Sequence, residues 1–278
     1  MRVLDDAASM MAAADAWRAD GLRIGLVPTM GFLHRGHASL IEAIRPSVDR
    51  LVVSIYVNPL QFGANEDLDR YPRDLPGDLA TCAAAGADAV FAPTSLYPPG
   101  FVTRVRVEGL TETLCGRARP GHFEGVTTVV ARLFGLTRCD VAIFGEKDWQ
   151  QLVVLQAMAR DLAMPIDVRA GALVRDDDGV ALSSRNKYLS PSARVRARSI
   201  SRALFDASAR VAAGEERVDV LRDAVLTQLD VDRIDDVAIV DGPTLTPLTV
   251  IAPGARLLVA AFVDGTRLLD NIALEPSR

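Results

Sequence analysis

One stretch constrains the fold of this 278-residue chain more than any other: residues 51–57, LVVSIYV. It is almost continuously apolar and rich in β-branched side chains, without the in-out alternation of a strand that has one face in water. A strand of that kind is covered on both faces, as helices cover a parallel sheet. The surrounding sequence supplies such helices. Strand patterns at 22–27 (LRIGLV, ending at Pro28), 51–57, 89–92 and 141–144 alternate with helical patterns at 37–44, 78–85, 126–136 and 149–162. Strands separated by helices pair in parallel through right-handed crossovers. The expectation is an α/β, Rossmann-like, doubly wound parallel sheet.

The pattern changes at the polar, turn-forming stretch 175–179 (RDDDG). Beyond it come helical patterns at 190–213 and 218–229 and strands at 237–240, 256–263 and 266–273. Asp264-Gly265 between the last two is a strong hairpin signal. The chain is long enough for two domains. The reading is a Rossmann-like domain over 1–174 and a smaller α+β C-terminal domain over 175–278, joined at a hinge. Arg194, Arg196, Arg198 and Arg202 read as solvated helix surface.

Composition excludes some functions. Net charge is −5, from 31 basic and 36 acidic side chains, which speaks against a nucleic-acid partner. No run approaches the roughly 18 apolar residues that span a bilayer. Residues 1–17 carry acids early and lack the basic-then-apolar pattern of a secretion signal, so the expectation is a cytoplasmic protein with no membrane partner. Cys82, Cys115 and Cys139 are odd in number and far apart, as befits reduced, mostly buried thiols.

The chemistry concentrates at PTMGFLHRGH, residues 28–37, which holds two of the three histidines. It lies in a strand-to-helix connection, where free helix N–H groups favour negative charge. Gly31 and Gly36 let a ligand approach the backbone without a Cβ in the way. Imidazoles there can donate hydrogen bonds to phosphate oxygens. Metal binding by His34 and His37 is a rival, but Gly36 favours a turn and no adjacent carboxylate or cysteine completes a set. A dinucleotide site would want GxGxxG, which is absent here.

PTMGFLHRGH resembles the HxGH signature of the nucleotidyltransferase superfamily. With SIYVNPLQFG, DLDRYPRD, RPGHFEGVTTVV, FGEKDWQQ and LSSRNKYLS in the same order, the chain is similar to the pantothenate synthetase (pantoate–β-alanine ligase) family over essentially its full length. HxGH alone is superfamily-grade evidence; the six blocks together are specific. The resemblance implies an ATP-dependent ligase that condenses pantoate with β-alanine through pantoyl adenylate, releasing AMP and pyrophosphate. It makes the 1–174 domain the nucleotide- and pantoate-binding one and the 175–278 domain a lid. It also implies a homodimer.

Carried over position by position, the resemblance implies that ATP meets Met30, Gly31, Phe32 and Leu33, then His34, Arg35, Gly36 and His37. It places ATP also on Gly145, Glu146, Lys147 and Asp148, and on Val174, Leu182, Ser183, Ser184 and Arg185 in a mobile phosphate loop. It assigns pantoate to Gln61 and Gln151. Asn58 ends the strand before Gln61, and His122 stands in a Gly-Pro-rich loop near substrate. Gln150 is one helical step of about 100° from Gln151, so the two cannot share one role. His37, His34, Lys147, Arg185 and Ser184 are the catalytic candidates. Taken as sequence alone, Gln61 fits a loop glutamine facing water, residues 146–148 fit first-turn charges, and the serines fit a linker with an N-cap. Trp149 stands where a tyrosine is frequent in the family.

ATP would enter with Mg2+. Gly77 departs from the acidic or polar residue common in the family near a magnesium site, and Asp78 remains available beside it. The protein ligands of the ion are thus unknown, and phosphates and water would hold it, as magnesium often is held. Two rivals remain: a nucleotidyltransferase that leaves the nucleotide on its product, and a nucleotide-binding regulator without turnover.

Overall fold

The computed structural model describes residues 1–64 and 66–276. Among them lie two compact units: Met1–Gly109, Arg119–Glu146 and Val154–Ala172 form the first, and Leu110–Ala118, Lys147–Val153 and Leu173 onward the second.

In the first unit the strands are β1 (Arg2–Leu4), β2 (Ile24–Thr29), β3 (Arg50–Ile55), β4 (Ala89–Phe91), β5 (Val141–Gly145) and β6 (Asp167–Gly171). Every pairing among them is parallel, in the order β1-β4-β3-β2-β5-β6. Its helices are α1 (Ala7–Ala19), α2 (Arg35–Ile44), α3 (Leu75–Ala84) and α5 (His122–Thr137), while α4 (Leu114–Ala118) belongs to the second unit. Helix α6 (Trp149–Asp161) divides between the units at Val153. Leu51, Val52 and Val53 have no exposed surface, as their unbroken apolar run requires. Val27, Ile41, Ile44, Val53, Val90 and Val141 pack in one core cluster.

Pro28 falls inside β2 and does not end it. The ladder from β2 to β5 is confined to Gly25 and Leu26, so proline's missing N–H removes no bond on that side. The periodicity misses α1 and the two edge strands. Asp6 begins α1 by accepting from the Ser9 N–H at 2.7 Å. β1 and β6 bury few of their residues, so neither leaves an apolar run to read.

The second unit also contains α7 (Pro191–Ala212), α8 (Val218–Gln228) and the strands β7 (Arg233–Asp241), β8 (Ala255–Val263) and β9 (Thr266–Leu274). The strands make an antiparallel sheet in the order β7-β8-β9. Asp264 and Gly265 turn the hairpin with φ of 51° and 71°, both in the left-handed region that a type I′ turn demands. Leu204, Ala207, Leu221, Leu257 and Val263 form the centre of its core.

Acidic residues pair with Arg194, Arg196 and Arg198 of the series on α7, while Arg202 donates to the Arg198 carbonyl. Arg194 binds Asp176 at 2.6 Å and Asp178 at 2.8 Å, Arg198 binds Asp178 at 3.2 Å, and Arg196 pairs with Asp230 and Asp232. The polar stretch at 175–179 is thereby fastened to α7, and Arg175 grips the buried Asp270 through both guanidinium arms. The cysteines form no disulfide, and burial pushes the Cys82 and Cys139 thiols up to about 12.

Candidate active site

The winding of the sheet reverses between β2 and β5, since β3 and β4 lie to one side of β2 and β5 and β6 to the other. In open α/β sheets, ligands bind at the carboxyl ends of the strands flanking such a reversal. Residues 30–34 leave β2 there, and Gly145 and Glu146 lie at the corresponding end of β5. A Cβ added to Gly145 would touch only Leu40, at 4.0 Å.

Helix α2 opens with a capping box made of imidazoles. His34 is the N-cap, and its Nδ1 accepts from the Gly36 N–H at 3.1 Å. His37, in the first turn of the helix, accepts the His34 N–H on its own Nδ1 at 3.3 Å. The rings are tilted, with centroids 4.1 Å apart. A ring nitrogen that accepts a hydrogen bond carries no proton, so each imidazole holds its proton on Nε2. Because His34 caps the helix, Gly36 sits inside its first turn and not in a preceding loop, contrary to the expectation from its sequence.

The turn before the histidines is clamped by Asp78. This residue of α3 is buried, and its carboxylate accepts from the Phe32 N–H at 2.9 Å and the Leu33 N–H at 2.6 Å. Burial pushes its carboxyl up, against the pull of those two N–H groups. Gly31 has φ 84°, and a Cβ there would lie 2.9 Å from Asp78 Oδ2 and 3.0 Å from Ile55. The bare position therefore has a reason inside the protein: it lets the clamp close. Phe32 is also left-handed, at φ 53°, a strained setting that the clamp holds.

Both carboxylate oxygens of Asp78 are engaged in this clamp. The neighbouring Asp74 caps α3 by accepting from the Gly77 N–H at 3.1 Å, and fills the space that a side chain at Gly77 would need. Among the described residues no group of three or more His, Cys, Asp or Glu is placed to hold a metal ion. A magnesium ion would therefore take most of its ligands from phosphates and water.

Gln61 sits in a short 3-10 turn after β3 and is pinned at both its backbone and its side chain. Its carbonyl accepts from Arg119 at 3.2 Å and lies 2.9 Å from His122 Nδ1. Arg119 also binds Glu66, at 2.5 Å and 2.7 Å, and approaches His122 Nε2 at 3.0 Å. Burial pushes the Glu66 carboxyl up, but the Arg119 guanidinium outweighs that and leaves it below its usual value. His122 is the first residue of α5, not part of a loop before it, and both its ring nitrogens meet protein partners. Asn58 is buried, with its amide joined to Gln61, Gly125, Leu60 and Tyr97. Gly125 lets α5 pack against this turn, because a Cβ there would strike the Leu60 carbonyl. The Gln61 amide reaches the Met30 sulfur at 3.3 Å, which links this corner to the histidine loop.

In the second unit, Lys147 is held from its backbone: the Asn271 amide donates to its carbonyl at 3.0 Å. Its ammonium lies 3.6 Å from Asp148. Lys147 and Ser183 line one small cavity together with Asn186 and Asp270. The Leu182 N–H donates to the Val174 carbonyl at 3.0 Å, so these two positions, distant in sequence, are neighbours. Ser183 caps the 3-10 turn Ser184–Tyr188 by accepting from the Arg185 N–H, and Ser184 is buried. Gln150 and Gln151 part company as the helical step requires. Gln150 is buried, donates to the Leu110 and Thr113 carbonyls and accepts from the Cys115 N–H. Gln151 is half-buried.

Sequence reasoning overlooked the Asp78 clamp, weighing that residue only beside a cation, and it overlooked Tyr97 and Arg119 altogether. The only signal for Asp78 was its place in the helix after DLDRYPRD.

The family model for pantoate-beta-alanine ligase matches residues 2–273. Pantothenate synthetase of Moorella thermoacetica is 51% identical over 280 residues, covering 99% of each chain. The crystal structure of pantothenate synthetase from Thermus thermophilus superposes with a TM-score of 0.94 at 45% identity, covering 99% of this chain and 100% of that one. Pantoate-beta-alanine ligase from Francisella tularensis, solved as a complex with beta-gamma ATP and beta-alanine, superposes with a TM-score of 0.80 at 27% identity, covering 100% of this chain and 99% of that one. No described helix is long and apolar enough to cross a membrane. With a matched family model, relatives at half identity and the same doubly wound sheet, this chain belongs to the pantoate-β-alanine ligase family of enzymes.

Proposed function

We propose that this enzyme condenses pantoate with β-alanine in two steps at the expense of ATP. The pantoate carboxylate attacks the α-phosphorus, forming pantoyl adenylate and expelling pyrophosphate. The β-alanine amine then attacks the acyl carbon of that mixed anhydride, and AMP leaves. The observation that carries the reading is the pair of Nε2–H imidazoles at the N-terminus of α2, on a loop whose Met30 touches Gln61. Two imidazole donors that follow β2 and an amide that follows the neighbouring β3, suited to a polar acid, lie at adjacent strand exits. The ligands of the Francisella protein support ATP and β-alanine as two of the substrates.

No nucleophile of the protein is needed, so catalysis consists of alignment and charge stabilisation. His34 and His37 donate from Nε2 to phosphate oxygens as charge builds on them. Lys147 adds a point charge, and Ser184 and Arg185 bring a hydroxyl and a planar guanidinium to the triphosphate. Gly31 and Phe32 hold their backbone toward the nucleotide under the Asp78 clamp. Gln61 and Gln151 receive pantoate. Mg2+ arrives with ATP, bound by phosphates and water.

The test is isotope exchange. Labelled pyrophosphate should enter ATP in the presence of enzyme, magnesium and pantoate with β-alanine omitted, because the first step reverses without the amine. Omitting pantoate should abolish exchange, and Lys147→Ala should depress it together with overall synthesis. Exchange that proceeds without pantoate, or that demands β-alanine, would sink the adenylate mechanism.

A further inference from the structure

The amide of Gln61 has a fixed direction, and the reason lies three residues away in a chain of hydrogen bonds. Asn58 is 1% exposed and cannot be turned over. Its oxygen faces the Leu60 N–H, which can only donate, at 3.3 Å; its nitrogen faces the Gly125 carbonyl, which can only accept, at 3.0 Å. Two contacts follow from that orientation. The Tyr97 hydroxyl, 2.8 Å from Asn58 Oδ1, must donate to it. The Gln61 side chain, 3.0 Å from Asn58 Nδ2, must present its oxygen there. The nitrogen of Gln61 is thus left on the far side, where it meets Met30 Sδ at 3.3 Å. Thioether sulfur is a weak acceptor, and an amide nitrogen carries two hydrogens.

We propose that Tyr97 is a positioning residue for the substrate carboxylic acid: its hydroxyl holds in place the Asn58 amide that Leu60 and Gly125 orient, and through it the Gln61 amide, so that Gln61 meets the substrate as a hydrogen-bond donor, to an acceptor oxygen. The proposal rests on the pantoate reading above. It selects, at this corner, a carboxylate or hydroxyl oxygen over a protonated or amide nitrogen, because a donor facing a donor leaves both unsatisfied. Burial pushes the Tyr97 hydroxyl up, so it stays protonated and donating through the neutral range. Its ring packs at 4.8 Å from Phe101 and 6.2 Å from Tyr56, contacts that a phenylalanine would keep.

The experiment compares wild type, Tyr97→Phe, Gln61→Ala and the double variant by pyrophosphate exchange, with pantoate and ATP titrated separately. Tyr97→Phe should raise the KM for pantoate roughly fivefold, the value of one hydrogen bond, while kcat and the KM for ATP change less than about twofold. Gln61→Ala should raise the pantoate KM further, by roughly tenfold or more. In the Gln61→Ala background the Tyr97→Phe effect should vanish, because its route is gone. An unchanged pantoate KM in Tyr97→Phe would overturn the proposal. So would a fivefold effect that persists without Gln61, since the hydroxyl would then act on the fold at large. Should wild-type exchange ignore pantoate, the functional reading itself falls and takes this proposal with it. Pantoate-dependent exchange with an indifferent Tyr97→Phe defeats the proposal alone.

Discussion

Replacing His37 by glutamine should leave the protein folded and remove most of its turnover. The structure separates two duties that alanine would remove together. One is structural: His37 Nδ1 accepts the His34 N–H and closes the capping box of α2. Glutamine at this position is the ordinary partner in such boxes and can accept the same N–H. The other duty is the Nε2–H donor, which glutamine does not place in the same direction. His37→Gln should therefore unfold within about 0.5 kcal/mol of wild type, and His37→Ala about 1 kcal/mol below it. Both should lose turnover by roughly a hundredfold or more, as expected for a donor to developing charge. Thermal unfolding and single-turnover synthesis measure the two effects. A stable His37→Gln enzyme within a few-fold of wild-type activity would take His37 out of the chemistry.

The second large effect is expected at Asp78. Its alanine variant removes the acceptor for the Phe32 and Leu33 N–H groups in a part-buried turn. Each such loss costs about 1–3 kcal/mol, so Asp78→Ala should be destabilised by roughly 2–6 kcal/mol. Asp78→Asn is the sharper probe, since it keeps the shape but can offer an oxygen to only one of the two N–H groups. The amide nitrogen then faces the other N–H, donor against donor. We expect pyrophosphate exchange to fall by at least roughly tenfold in Asp78→Asn, with hydrogen exchange quickening first at Phe32 and Leu33. An Asp78→Asn protein with wild-type melting and wild-type exchange would show that the clamp has no bearing on the nucleotide turn.

The two findings differ in how far the sequence announces them. The histidine motif is contiguous, and its position after a buried strand and before a helix can be read from local patterns. So can the strand at LVVSIYV and the Asp264-Gly265 hairpin, because each rests on neighbours a few residues apart. The clamp is not local: Asp78 lies 46 residues from Phe32, and Tyr97 lies 39 from Asn58. No periodicity carries such pairings. The same limit applies to Arg194 and Arg196, which look like solvated charges until the acids at 176, 178, 230 and 232 are placed against them. Edge strands fail for another reason. β1 and β6 expose much of their surface, so the burial that writes an apolar pattern into a strand is absent there. Within the motif, Gly31 and Gly36 illustrate two different shortfalls. Glycine at 31 signals an unusual backbone, but not that a carboxylate fills the space. Glycine at 36 signals a turn, while the capping imidazole before it begins a helix.

The division of the chain into units has a bearing on its birth at the ribosome. The first unit is complete in sequence once residue 172 has been made, but the second unit includes Leu110–Ala118 and Lys147–Val153, made earlier, and everything from Leu173 onward. At about 5–20 residues per second, the 106 residues from 173 to 278 take roughly 5–20 s to follow. Through that interval Trp149, whose indole ends on the Gly242 carbonyl, and Lys147, whose own carbonyl ends on Asn271, wait for partners not yet synthesised. A released fragment ending at residue 172 should therefore resist protease over the parallel sheet while remaining cleavable near 110–118 and 147–153. Uniform resistance across those segments would mean that they settle without their later partners. A chain beginning at residue 175 would lack both segments for good, so neither truncation nor a single cut can release the second unit whole.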